Sequence, residues 1–374
     1  MLLGRMLDWK GIIAVYSLLR NQLFRMDPEQ AHEWTIRGLQ QAQRFPFVLK
    51  TLQRRMEVED PRLKVSFSRI RFPNPVGLAA GFDKHAQVYP ALAALGFGFV
   101  EVGTLTPRRQ SGNPRPRLYR LPEDQAVINR MGFNNGGVEQ ARSLLSTFPR
   151  PGIPIGINLG KNKQTPQEEA ASDYRHGLRA LYRHGDYFAI NISSPNTRGL
   201  RDLQQSKPLE KLLSLIMAER DEMKDETGET RPVFLKLAPD LTQDQMTEAV
   251  QVGMELDIDG FIVCNTTLSR EGLKNPLKKE EGGMSGKPLA PLSTKMIRHL
   301  YRISEGRMPI IGVGGIFTGD DAYEKIRAGA CLIQVYTGMI YRGPSIAREI
   351  NRELLHRLEK DGYDHISEAV GQDA

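Results

Sequence analysis

From residue 76 onward the sequence repeats one unit eight times: a short unbroken apolar run, then a stretch with helical periodicity. The apolar runs lie at 76–80, 99–103, 154–158, 187–192, 233–237, 261–264, 310–313 and 331–336. They are rich in β-branched and aromatic residues and mostly lack polar alternation, as parallel strands buried on both faces do. The intervening stretches, at 85–95, 139–146, 167–183, 209–224, 243–256, 291–303, 319–328 and 345–358, read as helices. Eight such units in about 300 residues are the size of a (β/α)8 TIM barrel with insertions. On pattern alone an open doubly wound sheet competes. A hydrophobic content of 40% and a charged content of 25% place the chain among ordinary globular proteins. Cys264 and Cys331 lie far apart, which excludes a disulfide scaffold, a cysteine zinc site and an iron–sulfur cluster. No metal site is expected, and a reduced, intracellular chain is.

The amino terminus has its own pattern. Its longest apolar run, 11–19, sits between Lys10 and Arg20 and falls short of the roughly 20 residues a spanning helix needs. No small-residue cleavage site follows it. An amphipathic helix remains, with Ile12, Val15, Tyr16, Leu19 and Leu23 on one stripe. Asp27-Pro28-Glu29 restarts the chain, with Asp27 as N-cap and Pro28 in the first helical position. A second stripe runs through Ala31, Trp34, Thr35, Gly38, Leu39 and Ala42. Residues 1–56 hold nine Lys/Arg against four Asp/Glu, so +5 of the net +7 is concentrated here. A basic-rimmed helical hairpin suits a membrane surface; packing on its own domain is the alternative, and both stay open. The expected division is a helical module at 1–55 and a barrel at 56–374. The tail after Lys360 is expected to be mobile or to lie near lipid.

A barrel places its chemistry just past the carboxyl ends of its strands. There the sequence offers Ala80-Gly81, Thr104, Asn158, Asn191-Ile-Ser-Ser-Pro-Asn-Thr197, Lys236, Asn265-Thr266, Gly314-Gly315 and Tyr336-Thr337-Gly338. Turn formation accounts for the glycines, but buried lysines and asparagines each need a partner. Two nucleotide motifs fail on spacing. Gly312-Val-Gly-Gly-Ile-Phe317 has phenylalanine where a dinucleotide fingerprint needs its third glycine, and Gly156-Ile-Asn-Leu-Gly-Lys161 is one residue short of a phosphate loop. Glycines after the last two strands of a barrel do hold single phosphates. The expected cofactor is a mononucleotide such as FMN.

Five segments then carry a resemblance: Asn74-Pro-Val-Gly-Leu-Ala-Ala-Gly-Phe-Asp-Lys84, Asn129-Arg-Met-Gly-Phe-Asn-Asn-Gly-Gly137, Asn191-Ile-Ser-Ser-Pro-Asn-Thr197, Ser285-Gly-Lys-Pro-Leu289 and Gly312-Val-Gly-Gly-Ile316. Together they resemble the dihydroorotate dehydrogenases, and among these the membrane-associated, quinone-dependent class 2. The similarity runs from about Asp27 to about Ile350. The helical extension and Ser194, where soluble classes place a cysteine, favour that class. The resemblance implies oxidation of dihydroorotate to orotate in pyrimidine synthesis, with one FMN per chain and ubiquinone or menaquinone as acceptor. It also implies a monomer, peripheral on the cytoplasmic face of the cell's inner membrane, with no nucleic-acid partner.

Roles follow from the same resemblance. Ser194 is implied as the base for the C5 proton, relayed through Thr197 and water, with Phe133 closing the site. Lys84 would face the substrate carboxylate, beside Asn129, Arg130, Met131, Gly132, Phe133, Asn191, Asn196, Asn265 and Thr266. The flavin would touch Ala80, Gly81, Phe82, Asp83, Lys84, Thr104, Asn158, Asn191, Lys236, Cys264, Gly286, Gly315, Tyr336 and Thr337. Lys236 would supply a cation beside flavin N1, and Cys264 stands where the family usually has threonine. His32, Arg120 and Tyr336 would line the quinone route. The substrate site is expected from strand ends alone, so nothing before residue 50 is expected to serve the first half-reaction.

Two other classes are weighed. The loop 107–120 carries Arg108, Arg109, Arg115, Arg117 and Arg120, which suits RNA. Transfer-RNA dihydrouridine synthases, also FMN barrels, use a catalytic cysteine and a helical RNA-binding domain. Ser193-Ser194 and a short tail after Arg348 stand in their place here. A non-catalytic flavin protein or membrane scaffold is the third class; it predicts no bleaching of the flavin by dihydroorotate.

Overall fold

Eight parallel strands close into a barrel, and each falls on one of the eight apolar runs. They are β1 (Val76–Leu78), β2 (Phe99–Leu105), β3 (Ile155–Leu159), β4 (Tyr187–Asn191), β5 (Val233–Leu237), β6 (Gly260–Val263), β7 (Ile310–Val313) and β8 (Leu332–Val335). β8 pairs with β1 through Ile333↔Val76, which closes the ring and sets aside the open sheet. This computed structural model describes residues 9–374, without the side chains of 9, 10 and 12–15. Expectations placed on residues 1–8, Ile12 and Val15 lie outside the described residues.

Every expected helix is present, with shifted ends. The stretch at 85–95 shortens to Tyr89–Ala93, because the Asp83 carboxylate accepts from the N–H groups of Gln87 and Val88 and holds the preceding turn open. The last helix, Ile346–Asp361, is not followed by a loose tail. Ile366 and Ala369 are buried, and Asp373 pairs with Arg327 at 2.6 Å. Two apolar anchors and an ion pair hold the tail down, which corrects the expectation of mobility.

Three pieces outside the repeat shape the two ends of the barrel. A hairpin, Val65–Phe67 with Ile70–Phe72, closes the floor: Phe67 and Phe72 stack at 5.0 Å and meet Phe234 and Phe99 at the starts of β5 and β2. At the other end, Leu118–Leu121, Ala126–Asn129 and Gly283–Gly286 form an antiparallel sheet over the mouth. Helices Trp9–Leu23 and Pro28–Ala42 lie against that same end, and Pro46–Met56 runs down the barrel's flank beside Tyr89–Ala93 to place Met56 against Gly96, just before β2. Asp27 does cap the second, accepting from Glu29 and Gln30 N–H at 3.0 Å each.

The packed face of that second helix differs from the expected stripe. Ala31 and Ile36 are buried, whereas Trp34 is 62% exposed and Gly38 is also exposed. Leu18, Leu19, Phe45 and Phe47 are exposed as well, so most of the large apolar side chains left in the open among the described residues belong to this end. No helix among the described residues is long and apolar enough to cross a membrane.

Candidate active site

Above the phenylalanine floor the barrel interior turns polar. Glu101 of β2 is fully buried; it accepts from Tyr187 Oη at 3.0 Å, Gln334 Nε2 at 2.8 Å and Asn158 Nδ2 at 2.8 Å, and lies 3.6 Å from Lys236 Nζ. Five strands supply these groups, so the layer doubles as a lateral brace. The register Asn191↔Lys236 then delivers the cation and the first amide side by side to the next level.

That level is a chain of amides and hydroxyls. Thr104 Oγ1 donates to Asn158 Oδ1 at 2.5 Å, and Asn191 Nδ2 donates to both at 3.0 and 3.1 Å. Asn265 Nδ2 reaches Asn191 Oδ1 and Ser193 Oγ at 3.2 and 3.0 Å. Across the mouth Asn196 Nδ2 meets Asn129 Oδ1 at 3.2 Å. Mutual bonding fixes each amide's orientation before any ligand arrives, which is what preorganised recognition requires.

A cleft of about 1150 Å³ of free space, solvent at its mouth included, opens over this level. Ser194 lines it, 6% exposed, with Oγ accepting the Asn196 N–H at 3.3 Å. At one end the walls are backbone. Gly315 has φ +72°, and a Cβ there would sit 2.4 Å from the Ala290 Cβ, so only glycine lets the two loops approach. Gly314, Gly286, Tyr336, Thr337 and Gly338 complete that cradle. Two buried acceptors on the cleft wall, Gln334 Oε1 and Asn134 Oδ1, have no protein partner. A polar group of a ligand would satisfy them.

Lys84 lines the cleft, but its Nζ lies 3.2 Å from His32 Nε2 of helix Pro28–Ala42. Burial pulls the lysine down to about 8 and, with the Lys84 charge added, holds His32 well below the usual histidine range. A neutral imidazole therefore accepts from an ammonium. The His32 ring packs edge-on to Phe82 at 5.3 Å, and Phe82 meets Tyr336 at 6.4 Å. An aromatic path so links the amino-terminal helices to the cleft. Arg120 is anchored on the carbonyls of Leu23 (2.8 Å), Phe24 and Met26 and lies over the Phe24 ring at 4.7 Å.

Most residues singled out in the sequence converge on this cleft: Ala80, Gly81, Lys84, Thr104, Asn129, Met131, Gly132, Phe133, Asn191, Ser194, Asn196, Lys236, Cys264, Asn265, Thr266, Gly286, Gly315, Tyr336 and Thr337. Others stand behind it. Asn158 and Asp83 are fully buried in support, Phe82 and His32 form the aromatic flank, and Arg120 fastens the first helix. Arg130 turns outward to Glu280 at 2.9 Å and to the Tyr119 hydroxyl. Burial pushes the Cys264 thiol up to about 12, so it stays protonated. Sequence reasoning missed Glu101 and Gln334. Their signal was a polar residue inside an otherwise apolar strand run.

A closed parallel barrel with an amide-lined, glycine-cradled mouth defines an enzyme of the small-molecule barrel type. The comparisons with known proteins make that narrower. The dihydroorotate dehydrogenase family model matches residues 62–358, and the chain belongs to that family. Dihydroorotate dehydrogenase (quinone) of Roseiflexus castenholzii is 48% identical over 360 residues, covering 96% of this chain and 97% of its own. The protein of the same name from Deinococcus radiodurans is 47% identical over 369 residues, covering 96% and 100%. Among solved structures, ligand-free DHODH from Eimeria tenella superposes with a TM-score of 0.85 at 41% identity, covering 93% of this chain and 99% of that one.

Proposed function

We propose that this chain oxidises dihydroorotate to orotate, holding one FMN in the barrel mouth and delivering the electrons to a membrane quinone, ubiquinone or menaquinone, in pyrimidine synthesis. The observation that carries it is the convergence of Ser194, Lys236, the amide chain and the glycine cradle on one cleft. The cleft fits FMN in its own terms. Gly314, Gly315 and Thr337 leave backbone N–H groups and a hydroxyl for a phosphate, and Gln334 Oε1 and Asn134 Oδ1 await donors. FMN, when bound, would supply a two-electron acceptor for the hydride from C6 of the substrate and a donor for the quinone.

The chain's own residues do the rest. Ser194 takes the proton from C5, and because a serine hydroxyl is a poor base, it must release its own proton as it does so. Buried Thr197 is the next member of that relay. Phe133 shields the site from bulk water. Asn129, Asn191, Asn196 and Asn265 each donate and accept, which matches the alternating carbonyl and N–H edge of a dihydropyrimidine. Lys84 meets the substrate carboxylate as a point charge. Lys236, which lines the cleft, would set a cation against the flavin ring.

The helical module at 1–55 gives quinone its access for the second half-reaction, and the barrel at 56–374 holds the reacting groups of the first. Leu18, Leu19, Trp34, Phe45 and Phe47 enter the interfacial layer of the membrane, and the neighbouring lysines and arginines rest on anionic headgroups. Attachment is peripheral, on the cytoplasmic face of the inner membrane, and the working unit is a monomer. Quinone reaches the cleft along the His32–Phe82–Tyr336 flank. The test is direct: a yellow protein whose flavin is bleached by dihydroorotate and restored by a quinone analogue, but not by fumarate or NAD.

A further inference from the structure

We propose that Glu29, on the second amino-terminal helix, is a positioning residue for substrate: it locks the loop 110–117 down over the substrate pocket through Arg117. The proposal rests on the dihydroorotate reading of the cleft.

Glu29 and Arg117 are both almost completely buried, at 5% and 6% exposure. The guanidinium meets the carboxylate as a fork, Nη2 to Oε1 at 2.7 Å and Nε to Oε2 at 3.1 Å. Its remaining nitrogen, Nη1, donates to the Ser111 and Asn113 carbonyls at 2.7 Å each. One arginine thus ties a helix to the loop by every edge it has. Among the described residues Glu29 is the only carboxylate paired with it.

The loop in turn holds the pocket. Asn113 Nδ2 donates to the Arg130 carbonyl at 3.0 Å and to the Asn196 carbonyl at 3.2 Å. Gln110 Nε2 donates to the Gly132 and Phe133 carbonyls at 3.1 Å each. Gly112 lies so close that a Cβ would come within 2.3 Å of the Met131 carbonyl. Segment 129–133 and Asn196, which line the cleft and meet at the Asn196–Asn129 hydrogen bond, both hang from this loop.

Glu29, His32 and Glu33 share one helix face at i, i+3 and i+4. Glu33 pairs with Arg115 at 2.6 Å, and His32 holds Lys84 at 3.2 Å. One turn of helix therefore grips the pocket on two sides. This revises the sequence expectation that nothing before residue 50 serves the first half-reaction: the helix outside the barrel completes the dihydroorotate site.

The test uses the full-length FMN-loaded enzyme with Glu29→Gln, Glu29→Asp and Asn113→Ala. Asn113→Ala removes the loop's bonds to the Arg130 and Asn196 carbonyls without leaving a buried charge unpaired, so it reads the loop's hold on the pocket even if Glu29→Gln folds poorly. Misplacing reacting groups by about 1 Å costs up to roughly 100-fold. Glu29→Gln and Asn113→Ala should raise the dihydroorotate KM and the orotate Kd by roughly 10- to 100-fold, with Glu29→Asp restoring part of the loss. FMN content and the quinone KM should stay near the parent values. An unchanged KM and orotate Kd in both Glu29→Gln and Asn113→Ala overturns the proposal, and so does a loss confined to quinone turnover. Failure of the parent enzyme's flavin to bleach with dihydroorotate would sink the functional reading itself, a distinct result.

Discussion

Lys236 Nζ stands 3.6 Å from Glu101 Oε1 inside the barrel, both side chains shut away from solvent. The carboxylate also takes three hydrogen bonds from neutral donors, whereas the lysine faces the cleft on its other side. Removing the lysine strands a buried charge; removing the charge from both should not. Lys236→Met is therefore expected to lower stability by about 3–5 kcal/mol, and the double variant with Glu101→Gln to recover most of it. Urea unfolding of the four proteins of the cycle checks this, and additive losses would dismiss the coupling.

Ser194 gives a kinetic prediction. Ser194→Ala should keep FMN and orotate bound while slowing flavin reduction by roughly 10²–10⁴-fold. Ser194→Cys should retain partial activity that rises with pH, as the thiolate fraction grows. Stopped-flow bleaching by dihydroorotate decides it; a parent-like rate in the alanine variant would remove the assignment.

Lys84 sets a pH limit. Its ammonium, pulled down to about 8 by burial, loses its proton as pH rises through that value. A carboxylate ligand needs the charged form, so orotate affinity should be full below pH 8 and weaken by about tenfold per unit above it. The profile is measured by titrating the flavin spectrum with orotate from pH 6.5 to about 9.5. Lys84→Met should bind weakly and show no such decline, and a flat parent profile would contradict the role.

The exposed apolar side chains of the amino-terminal helices predict lipid binding. Paired Trp34→Glu and Phe47→Glu changes should release the protein from anionic vesicles, and raised salt should weaken the parent, since each basic residue near such a surface contributes about 1 kcal/mol. Cosedimentation reads both. Turnover with a long-chain quinone should fall with vesicle binding, while bleaching by dihydroorotate persists.

Gly315→Ala tests the cradle. Its Cβ would press on Ala290 at 2.4 Å in a backbone conformation with φ +72°. The variant should purify with little or no flavin while its far-ultraviolet circular dichroism stays native. A fully yellow variant would show that the loops can part.

The barrel was legible because its strands are unbroken apolar runs, and burial on both faces leaves that mark on composition. The mouth was legible because Asn191, Asn196, Asn265 and Lys236 are costly to bury without a purpose. What escaped had weak local signals. The cap strands Leu118–Leu121 and Ala126–Asn129 are too short to show a period, and helix Pro46–Met56 has Phe45 in the N-cap position, where its side chain makes no cap hydrogen bond. Glu29 looked like an ordinary first-turn acid, because its partner lies 88 residues away. Long-range pairs of this kind leave no trace in spacing.

The phenylalanine hairpin under the barrel has one more consequence. With Phe67 and Phe72 stoppering the base, the vessel is open at one end only. Reductant and oxidant cannot be fed from opposite poles, so a water-borne acid and a lipid-borne acceptor must approach a single rim from different sides. The molecule can therefore lie with part of that rim against the bilayer and the rest turned to water, and its stoppered base needs no traffic at all.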